Sequence, residues 1–166
     1  MKGIWRLPNA RVTQELGVAL ARDCPWDERE PRIIFLSGEL GAGKTTLAAA
    51  LLQALGVEES VRSPSYALIE TYAARAGETV HIDLYRLQGA EELQQLGLRD
   101  YLNGRTLLLI EWPERAGSAL PPADLQVQLD IGAAGADGGR TACIDARSSA
   151  GETWLALTRT ALPNQI

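Results

Sequence analysis

The chain has 166 residues, of which 46% are hydrophobic, and it carries a net charge of −5. This length and apolar content predict one globular domain over residues 1–166 and exclude a disordered chain. A sequence pI near 4.9 argues against a protein that grips a nucleic-acid backbone with its own basic surface. The longest apolar run is far shorter than the ~20 residues of a membrane helix, and no secretory signal is evident, so we expect a soluble, cytoplasmic protein.

The first two thirds of the sequence predict helices and strands in alternation. Apolar residues at helical spacing indicate the helices, and compact apolar runs bounded by turn residues indicate buried strands. In chain order the elements are a helix over 13–24 with Thr13 as N-cap, a strand over 32–37, a helix over 44–55 ended by Gly56, a hairpin of strands 66–72 and 79–85 around the loop 73–78, a short helix over 89–96 and a strand over 106–110.

The last third of the sequence predicts antiparallel strands. Residues 124–131 and 140–147 alternate apolar and polar side chains, as strands with one solvated face do, and a glycine-rich loop over 132–139 joins them. Residues 151–162 fit either another strand or a short helix. Together with the alternating first part, this pattern predicts an α/β fold with a mixed sheet.

The two cysteines give no sign of a metal site or a disulfide. Cys24 and Cys143 lie far apart in the sequence and have neither C-x-x-C nor Cys/His spacing. We therefore predict two reduced thiols in apolar surroundings.

Residues 38–45 read GELGAGKT and match the phosphate-binding pattern G-x-x-x-x-G-K-[ST] without a mismatch. Glycines allow the tight turn that aims backbone N–H groups at phosphate oxygens, and the following helix adds its positive N-terminal dipole. In this chemistry Lys44 reaches the β- and γ-phosphates, the Thr45 hydroxyl ligates Mg²⁺, and Thr46 adds a phosphate contact. We therefore predict a site for ATP and Mg²⁺ whose cofactor-binding residues include Glu39, Gly41, Ala42, Gly43, Lys44, Thr45 and Thr46.

A phosphate-binding loop also needs an acid at a neighbouring strand end, to hold Mg²⁺ or to order the attacking water. Glu111 ends the apolar run TLLLI, and Asp83 lies within VHIDLYR. For either acid alone, a solvated carboxylate at a strand end is the alternative. Which of the two is linked to the metal and which to water stays open. The predicted fold class is accordingly α/β, a P-loop NTPase-like three-layer domain with a mixed, mainly parallel central sheet and a C-terminal antiparallel hairpin.

Four segments occur in a characteristic order between residues 36 and 117, namely GELGAGKTTL, SPSYALIETY, HIDLYRL with EELQQLGLRDY, and LLLIEWPERAG. Together they resemble the TsaE family of bacterial tRNA threonylcarbamoyladenosine biosynthesis ATPases. The resemblance implies a P-loop ATPase that works with a TsaB-type protein and a TsaD-type transferase and does not itself transfer the threonylcarbamoyl group. The modified base is the adenosine beside the anticodon. The partners are implied to make most of the tRNA contacts, and neither DNA nor a membrane is implied as a partner.

The resemblance also implies roles for individual residues. Lys44 and Thr45 correspond to the phosphate and Mg²⁺ residues, Glu111 to the Mg²⁺-linked carboxylate, and Asp83 to an acid near the metal or its water. Lys44, Asp83 and Glu111 are thus the implied catalytic residues, and Thr45, Glu111 and Asp83 the implied metal residues. Residues 63–65, Ser-Pro-Ser, correspond to a switch-like loop that usually reads Ser-Pro-Thr. Arg140 and the glycines before it are implied to approach the adenine.

Three further residues near these motifs have more than one interpretation. We interpret His81 as a hydrogen-bonded structural group rather than a catalytic one. Arg86 either steadies Asp83 or a phosphate or forms a surface ion pair. Trp112 either covers the nucleotide or a partner surface or packs in the core.

Two other classes of P-loop protein are alternatives to an ATPase. A small-molecule kinase needs an acceptor site and usually an arginine-bearing lid, and no lid is evident after Glu111. A GTP-regulated switch normally reads guanine with an Asn/Thr-Lys-x-Asp loop. Lys2 and Lys44 are the only lysines, so that loop is absent.

Overall fold

The computed structural model describes residues 1–132 and 139–162, and within these ranges it contains seven β-strands and four α-helices. Short 3-10 turns lie at Leu98–Tyr101, Pro113–Arg115 and Gly117–Ala119. The strands and helices, in chain order, are β1 (Lys2–Leu7), α1 (Ala10–Arg22), β2 (Arg32–Gly38), α2 (Lys44–Ala54), β3 (Ile69–Ala74), β4 (Gly77–Asp83), α3 (Ala90–Gln95), β5 (Thr106–Glu111), β6 (Leu125–Ile131), β7 (Arg140–Ala146) and α4 (Ser149–Ala161).

The strands form one sheet in the order β1-β7-β6-β2-β5-β4-β3. The four central strands β6, β2, β5 and β4 are parallel, and antiparallel pairs close the sheet on both sides. Parallel neighbours need long crossovers, which α2 and the segments around α3 and the 3-10 turns supply. The predicted α/β class, with a mixed sheet that is parallel at its centre and a C-terminal antiparallel hairpin, is confirmed.

Two apolar clusters cover the two faces of the sheet. The larger one joins the sheet to α1, α2 and α4 and contains Leu16, Leu51 and Trp154, all fully buried. The Trp154 indole donates to the Leu20 carbonyl oxygen at 2.9 Å, so it packs in the core without an unpaired donor. The smaller cluster, on the other face, lies under α3 and the 3-10 turn that follows it. The fold therefore has three layers, of which one is thin.

Strong local patterns predicted most elements correctly. The structure confirms the strands and helices predicted at β2, α2, α3, β5, β6 and β7 to within about two residues. The C-terminal segment, for which both a strand and a helix were open, is the helix α4, and the Ser148 side chain caps it by accepting from the Gly151 N–H at 3.0 Å.

Some boundaries were predicted wrongly. The N-cap of α1 is Asn9, whose side chain accepts from the Val12 N–H at 3.1 Å, whereas Thr13 lies buried inside the helix. The expected strand start at residues 66–68 is a turn, because Leu68 takes left-handed backbone with φ 63°. The expected six-residue hairpin loop is a two-residue turn at residues 75–76, since both strands continue into it. Of the glycine-rich loop over 132–139, residues 133–138 lie outside the described residues.

The first strand, β1, was not predicted from the sequence. Its residues alternate between exposed and buried, and it pairs with β7 from Lys2 opposite Asp145 to Leu7 opposite Arg140. In the described parts of the chain, no helix is long and apolar enough to cross a membrane.

The two cysteines differ in exposure, and neither is in a disulfide. Cys24 is buried beside the larger cluster, and burial raises the pKa of its thiol well above the usual range, which suppresses the reactive thiolate. Cys143 is partly exposed on β7, where it lines an open hollow of the sheet.

We expect a thiol reagent to modify the native protein at one site, Cys143, and to reach Cys24 only when the protein unfolds. Counting modified thiols by mass spectrometry, with and without denaturant, measures this. A Cys143→Ser variant serves as the control and should show no rapid reaction. Two rapidly reacting thiols in the native protein would contradict the buried position of Cys24.

Gly38, where β2 meets the phosphate-binding loop, lies against the neighbouring strand. A Cβ placed on it would be 2.2 Å from the Leu129 carbonyl oxygen, and its backbone has φ 137°. We expect Gly38→Ala to lower the free energy of unfolding by about 2 kcal/mol or more. Gly41→Ala, in the same loop with φ 81° but no atom within 4 Å of the added Cβ, should cost only about 1 kcal/mol. Urea unfolding measures both, and equal losses would contradict the close approach of the two strands.

Candidate nucleotide-binding site

The phosphate-binding loop connects β2 to α2. β2 ends at Gly38, and α2 begins at Lys44 with Gly43 as its N-cap, in left-handed backbone with φ 103°. Gly41 between them is also left-handed. Glycine takes this conformation without strain, so the loop can turn sharply into the helix. The first N–H groups of an α-helix have no partner within it, and here they lie at the phosphate-binding loop, where an anion would bind.

Other residues of the loop region form a backbone hydrogen bond or line the cavity in front of the loop. The Ala42 N–H donates to the Glu39 carbonyl oxygen at 3.1 Å, which closes the turn, and the Ala42 methyl group is fully buried in the larger cluster. Thr46, in the first turn of α2, lines the cavity in front of the loop. The residues predicted for the loop are therefore brought together in one structural unit.

Lys44 reaches back over the loop. Its Nζ donates to the carbonyl oxygens of Gly38 and Glu39 at 2.7 and 2.9 Å, and it lies 3.9 Å from the centre of the Trp112 ring. Burial lowers the pKa of Lys44, and the negative charge of Glu111 opposes this effect. The ammonium group thus lies at the mouth of the phosphate-binding loop and is hydrogen-bonded to neutral carbonyl oxygens, which bind it less strongly than a phosphate would.

The first turn of α2 meets the end of β5. The Thr45 hydroxyl donates to the Glu111 carboxylate and lies 3.2 Å from each of its oxygens. Glu111 is the last residue of β5 and is only 2% exposed. β5 runs parallel to β2, with Glu111 opposite Leu36, so the strand ends beside the start of the loop. Thr45 and Glu111, which are 66 positions apart in the chain, are thereby brought into contact at the phosphate-binding loop.

Asp83 ends β4 directly beside Glu111, its register partner on β5. The Asp83 carboxylate accepts hydrogen bonds from the Ser63 hydroxyl and from the Tyr85 N–H, the latter at 2.9 Å. Ser65 also lines the cavity. The structure therefore places both candidate acids at adjacent strand ends and connects the Ser-Pro-Ser segment to one of them.

His81, on the same strand, is fully buried and also contacts Glu111. Its Nε2 lies 2.9 Å from Glu111 Oε1, and its Nδ1 has no hydrogen-bond partner among the described residues. The interpretation of His81 as a hydrogen-bonded group agrees with this geometry. Its partner, which the sequence did not indicate, is one of the two candidate acids.

Aromatic side chains and arginines form one wall of the site. The rings of Tyr85 and Trp112 lie 4.9 Å apart, and Arg86 stacks at 4.3 Å on Tyr66, which is 84% exposed. Arg86 therefore has an aromatic contact that neither of its interpretations included. Trp112 packs against the smaller cluster, in agreement with its core interpretation, and also contacts Lys44, while a role in covering a nucleotide or a partner surface stays a prediction. Tyr85 was missed, although it lies two residues after Asp83 in the singled-out VHIDLYR segment.

Arg140, at the start of β7, closes the opposite side of the loop. Its Nη2 donates to the Gly41 carbonyl oxygen at 3.0 Å, and its Nε is buried without a hydrogen-bond partner in the described structure. The resulting cavity has a volume of about 420 Å³ and is lined by residues of the loop, both strand ends, Trp112 and Arg140. Arg140 is thus at the cavity, while residues 133–138, which precede it, lie outside the described part of the chain.

The oxygen atoms at the loop fit Mg²⁺ held together with a nucleotide. Among residues 1–132 and 139–162, no group of three or more His, Cys, Asp or Glu side chains is placed to hold a metal ion. The loop and strand ends instead offer the Thr45 hydroxyl and the carboxylates of Glu111 and Asp83. Mg²⁺ is usually bound by one or two protein oxygens, with substrate phosphates and water completing its coordination. These donors suit such a site and would not suffice for a site made of protein ligands alone.

The site combines a sheet with parallel central strands, a glycine-rich strand-to-helix loop that ends in a lysine, and acids at the neighbouring strand ends. These features define a P-loop nucleotide-binding protein. The sequence model described as "Threonylcarbamoyl adenosine biosynthesis protein TsaE" matches residues 7–140. The chain belongs to the TsaE family.

Individual relatives agree with this assignment. The chain is 46% identical over 98 residues to the tRNA threonylcarbamoyladenosine biosynthesis protein TsaE of Haemophilus influenzae, a match that covers 59% of this chain and 62% of that protein. It is 35% identical over 126 residues to the protein of the same name from Rickettsia felis, covering 75% of this chain and 71% of that one. The crystal structure of Bacillus subtilis YdiB superposes with a TM-score of 0.74 at 26% identity and covers 98% of this chain and 97% of its own.

Proposed function

We propose that this chain, acting as a single domain, binds ATP with Mg²⁺ and hydrolyses it to ADP and phosphate. The observation that carries the proposal is the contact between the Thr45 hydroxyl and the buried Glu111 carboxylate at the mouth of the loop. A P-loop that only binds an anion does not need this pair, whereas phosphoryl transfer to water needs a fixed metal position and an acid that orients water.

The residues of the site divide the proposed work between them. The loop N–H groups and Lys44 would bind the phosphates, and Thr45 with Glu111 would hold Mg²⁺, which when bound neutralises the charge that develops on the phosphate oxygens. Asp83 would orient the water, because its carboxylate is held by Ser63 and the Tyr85 N–H beside Glu111. The packed wall of Tyr85 and Trp112 would keep bulk water away from the phosphates.

We further propose that hydrolysis serves the formation of N6-threonylcarbamoyladenosine in tRNA, beside the anticodon. The relatives carry the name of this process, and the matches cover only part of the chain and of the relatives. The net charge of −5 suits a protein that leaves most tRNA contacts to others. We propose a TsaD-type transferase and a TsaB-type protein as those partners.

The test is phosphate release by the purified protein with ATP and Mg²⁺, first alone and then with the two partner proteins and tRNA. Release without any added acceptor separates an ATPase from a small-molecule kinase, and a parallel assay with GTP separates it from a guanine-nucleotide switch. Activity that appears only when a small acceptor molecule is added would overturn the proposal.

Asp83→Asn should slow ATP turnover by at least about 10-fold with little change in nucleotide affinity. The amide keeps an acceptor for the Tyr85 N–H but loses the charge and one of the two acceptor oxygens. Ser63→Ala, which removes only the hydroxyl that binds Asp83, should have a smaller effect. Steady-state kinetics and nucleotide titration measure both variants, and parental turnover of Asp83→Asn would show that this acid is structural.

A further inference from the structure

His81 combines complete burial with a hydrogen bond to a charged group. It is 0% exposed on the central strand β4, and its Nε2 lies 2.9 Å from Oε1 of Glu111. The strand register sets this contact, because β4 and β5 pair with His81 opposite Leu109 and Asp83 opposite Glu111. The imidazole ring therefore lies diagonally across the strand pair from the Glu111 carboxylate, because His81 is opposite the residue two positions before Glu111.

The hydrogen-bond partners of the ring determine where its proton is. A neutral histidine carries one proton, on Nδ1 or on Nε2. With the proton on Nδ1, a buried N–H would lack a partner, and the lone pair of Nε2 would face a carboxylate oxygen. With the proton on Nε2, the ring donates to Glu111. Only the Nδ1 lone pair then lacks a partner, which costs less than an unpaired N–H. The geometry therefore favours the proton on Nε2.

We propose that His81 is a positioning residue for Glu111. Its Nε2–H holds one carboxylate oxygen and thereby keeps the carboxylate turned towards the Thr45 hydroxyl, where the proposed function requires it. The inference rests on that proposed function for Glu111. Without His81, the carboxylate could rotate, because Thr45 lies equally far from its two oxygens and selects neither. Groups that orient a metal-linked ligand typically change activity or affinity 10–100-fold when removed.

The first test observes the proton directly. His81 is the only histidine in the chain, so ¹⁵N-histidine labelling of the untagged protein yields one pair of ring signals in NMR. We expect a proton on Nε2, the nitrogen that faces Glu111. An Nε2 without a proton would overturn the proposal, because it could not then donate to Glu111. This readout requires neither nucleotide nor activity.

The second test compares variants in ATP turnover. His81→Phe keeps the ring volume without the donor, and we expect kcat to fall 10–100-fold while the KM for ATP changes less than threefold. His81→Gln returns an N–H near the position of Nε2 and should recover part of the rate. Thr79→Val is the matched control, because it removes a fully buried hydroxyl without a partner from the same strand, and it should turn over ATP like the parent.

A double variant separates action through Glu111 from a general loss of structure. If His81 acts through this carboxylate, adding His81→Phe to Glu111→Gln should lower kcat less than twofold further. A full additional loss in the double variant would overturn the proposal, as would parental turnover of His81→Phe alongside a slow Glu111→Gln. If Glu111→Gln itself hydrolyses ATP normally, it is the proposed role of Glu111 that fails, and the NMR result still decides whether His81 donates to Glu111.

Discussion

Lys44→Ala is expected to abolish measurable ATP binding and hydrolysis while the protein stays folded. The Lys44 ammonium group lies at the mouth of the loop, 2.7 and 2.9 Å from two loop carbonyl oxygens, where it would exchange these neutral acceptors for phosphate. Hydrogen bonds to charged groups contribute about 1.5–3 kcal/mol each, so losing two of them should weaken nucleotide binding by roughly 10²-fold or more. The fold should tolerate alanine, because it favours helix and the buried ammonium is costly to desolvate.

Lys2→Ala provides the control for this experiment, because Lys2 is the only other lysine. It is exposed on β1 and forms only a loose surface ion pair with Asp145, at 3.9 Å, which contributes little to stability. Nucleotide titration, phosphate release and thermal unfolding should all be measured for both variants. If Lys44→Ala binds and hydrolyses ATP as the parent does, the loop is not the phosphate site.

Glu111→Gln is expected to slow hydrolysis by roughly 10²-fold or more while ATP binding is retained. The amide preserves the shape of the side chain and an acceptor for the Thr45 hydroxyl, but it removes the negative charge proposed to hold Mg²⁺. Binding should persist because the loop N–H groups and Lys44 are unchanged. Single-turnover kinetics and nucleotide titration distinguish the two effects.

Glu78→Gln is a control with the same chemistry on an exposed residue of β4, and it should match the parent. Normal hydrolysis by Glu111→Gln would leave Asp83 as the essential acid. If the ATP-bound variant still associates with the two partner proteins, ATP binding is the signal for assembly and hydrolysis the step of release. Failure to associate in the presence of ATP would exclude that cycle.

Local sequence patterns predicted the centre of the fold and the loop because their causes are local. The strand β2, the glycines and the helix α2 are adjacent in the chain, and their residue types alone specify a strand, a sharp turn and a helix. Glu111 at the end of β5 directly follows an apolar run, and Asp83 at the end of β4 lies within the VHIDLYR segment.

Features that depend on distant partners could not be predicted in this way. Gly77, which follows the tight hairpin turn, lies against the Arg105 backbone, where a Cβ would be 2.2 Å from its carbonyl oxygen. The contact of His81 with Glu111 depends on the register between β4 and β5, over a separation of 30 residues. Arg140 reaches Gly41 across 99 residues of sequence. Each of these contacts arises only when strands far apart in the chain become neighbours.

The pairing of β1 with β7 has a consequence for the order in which the protein assembles. Residues 2–7 find their partner only at residues 140–146, so this edge closes the longest loop in the sheet. Closing a long loop costs chain entropy before its contacts form, so pairings of this kind tend to come late in folding. As the chain leaves the ribosome, the side chains of Trp5 and Leu7 stay exposed to solvent until β7 has been made, although both are buried in the finished fold. The strand β1, which is made before β7, is thus among the last to be covered, and between these two events its apolar side chains are open to aggregation and to chaperones.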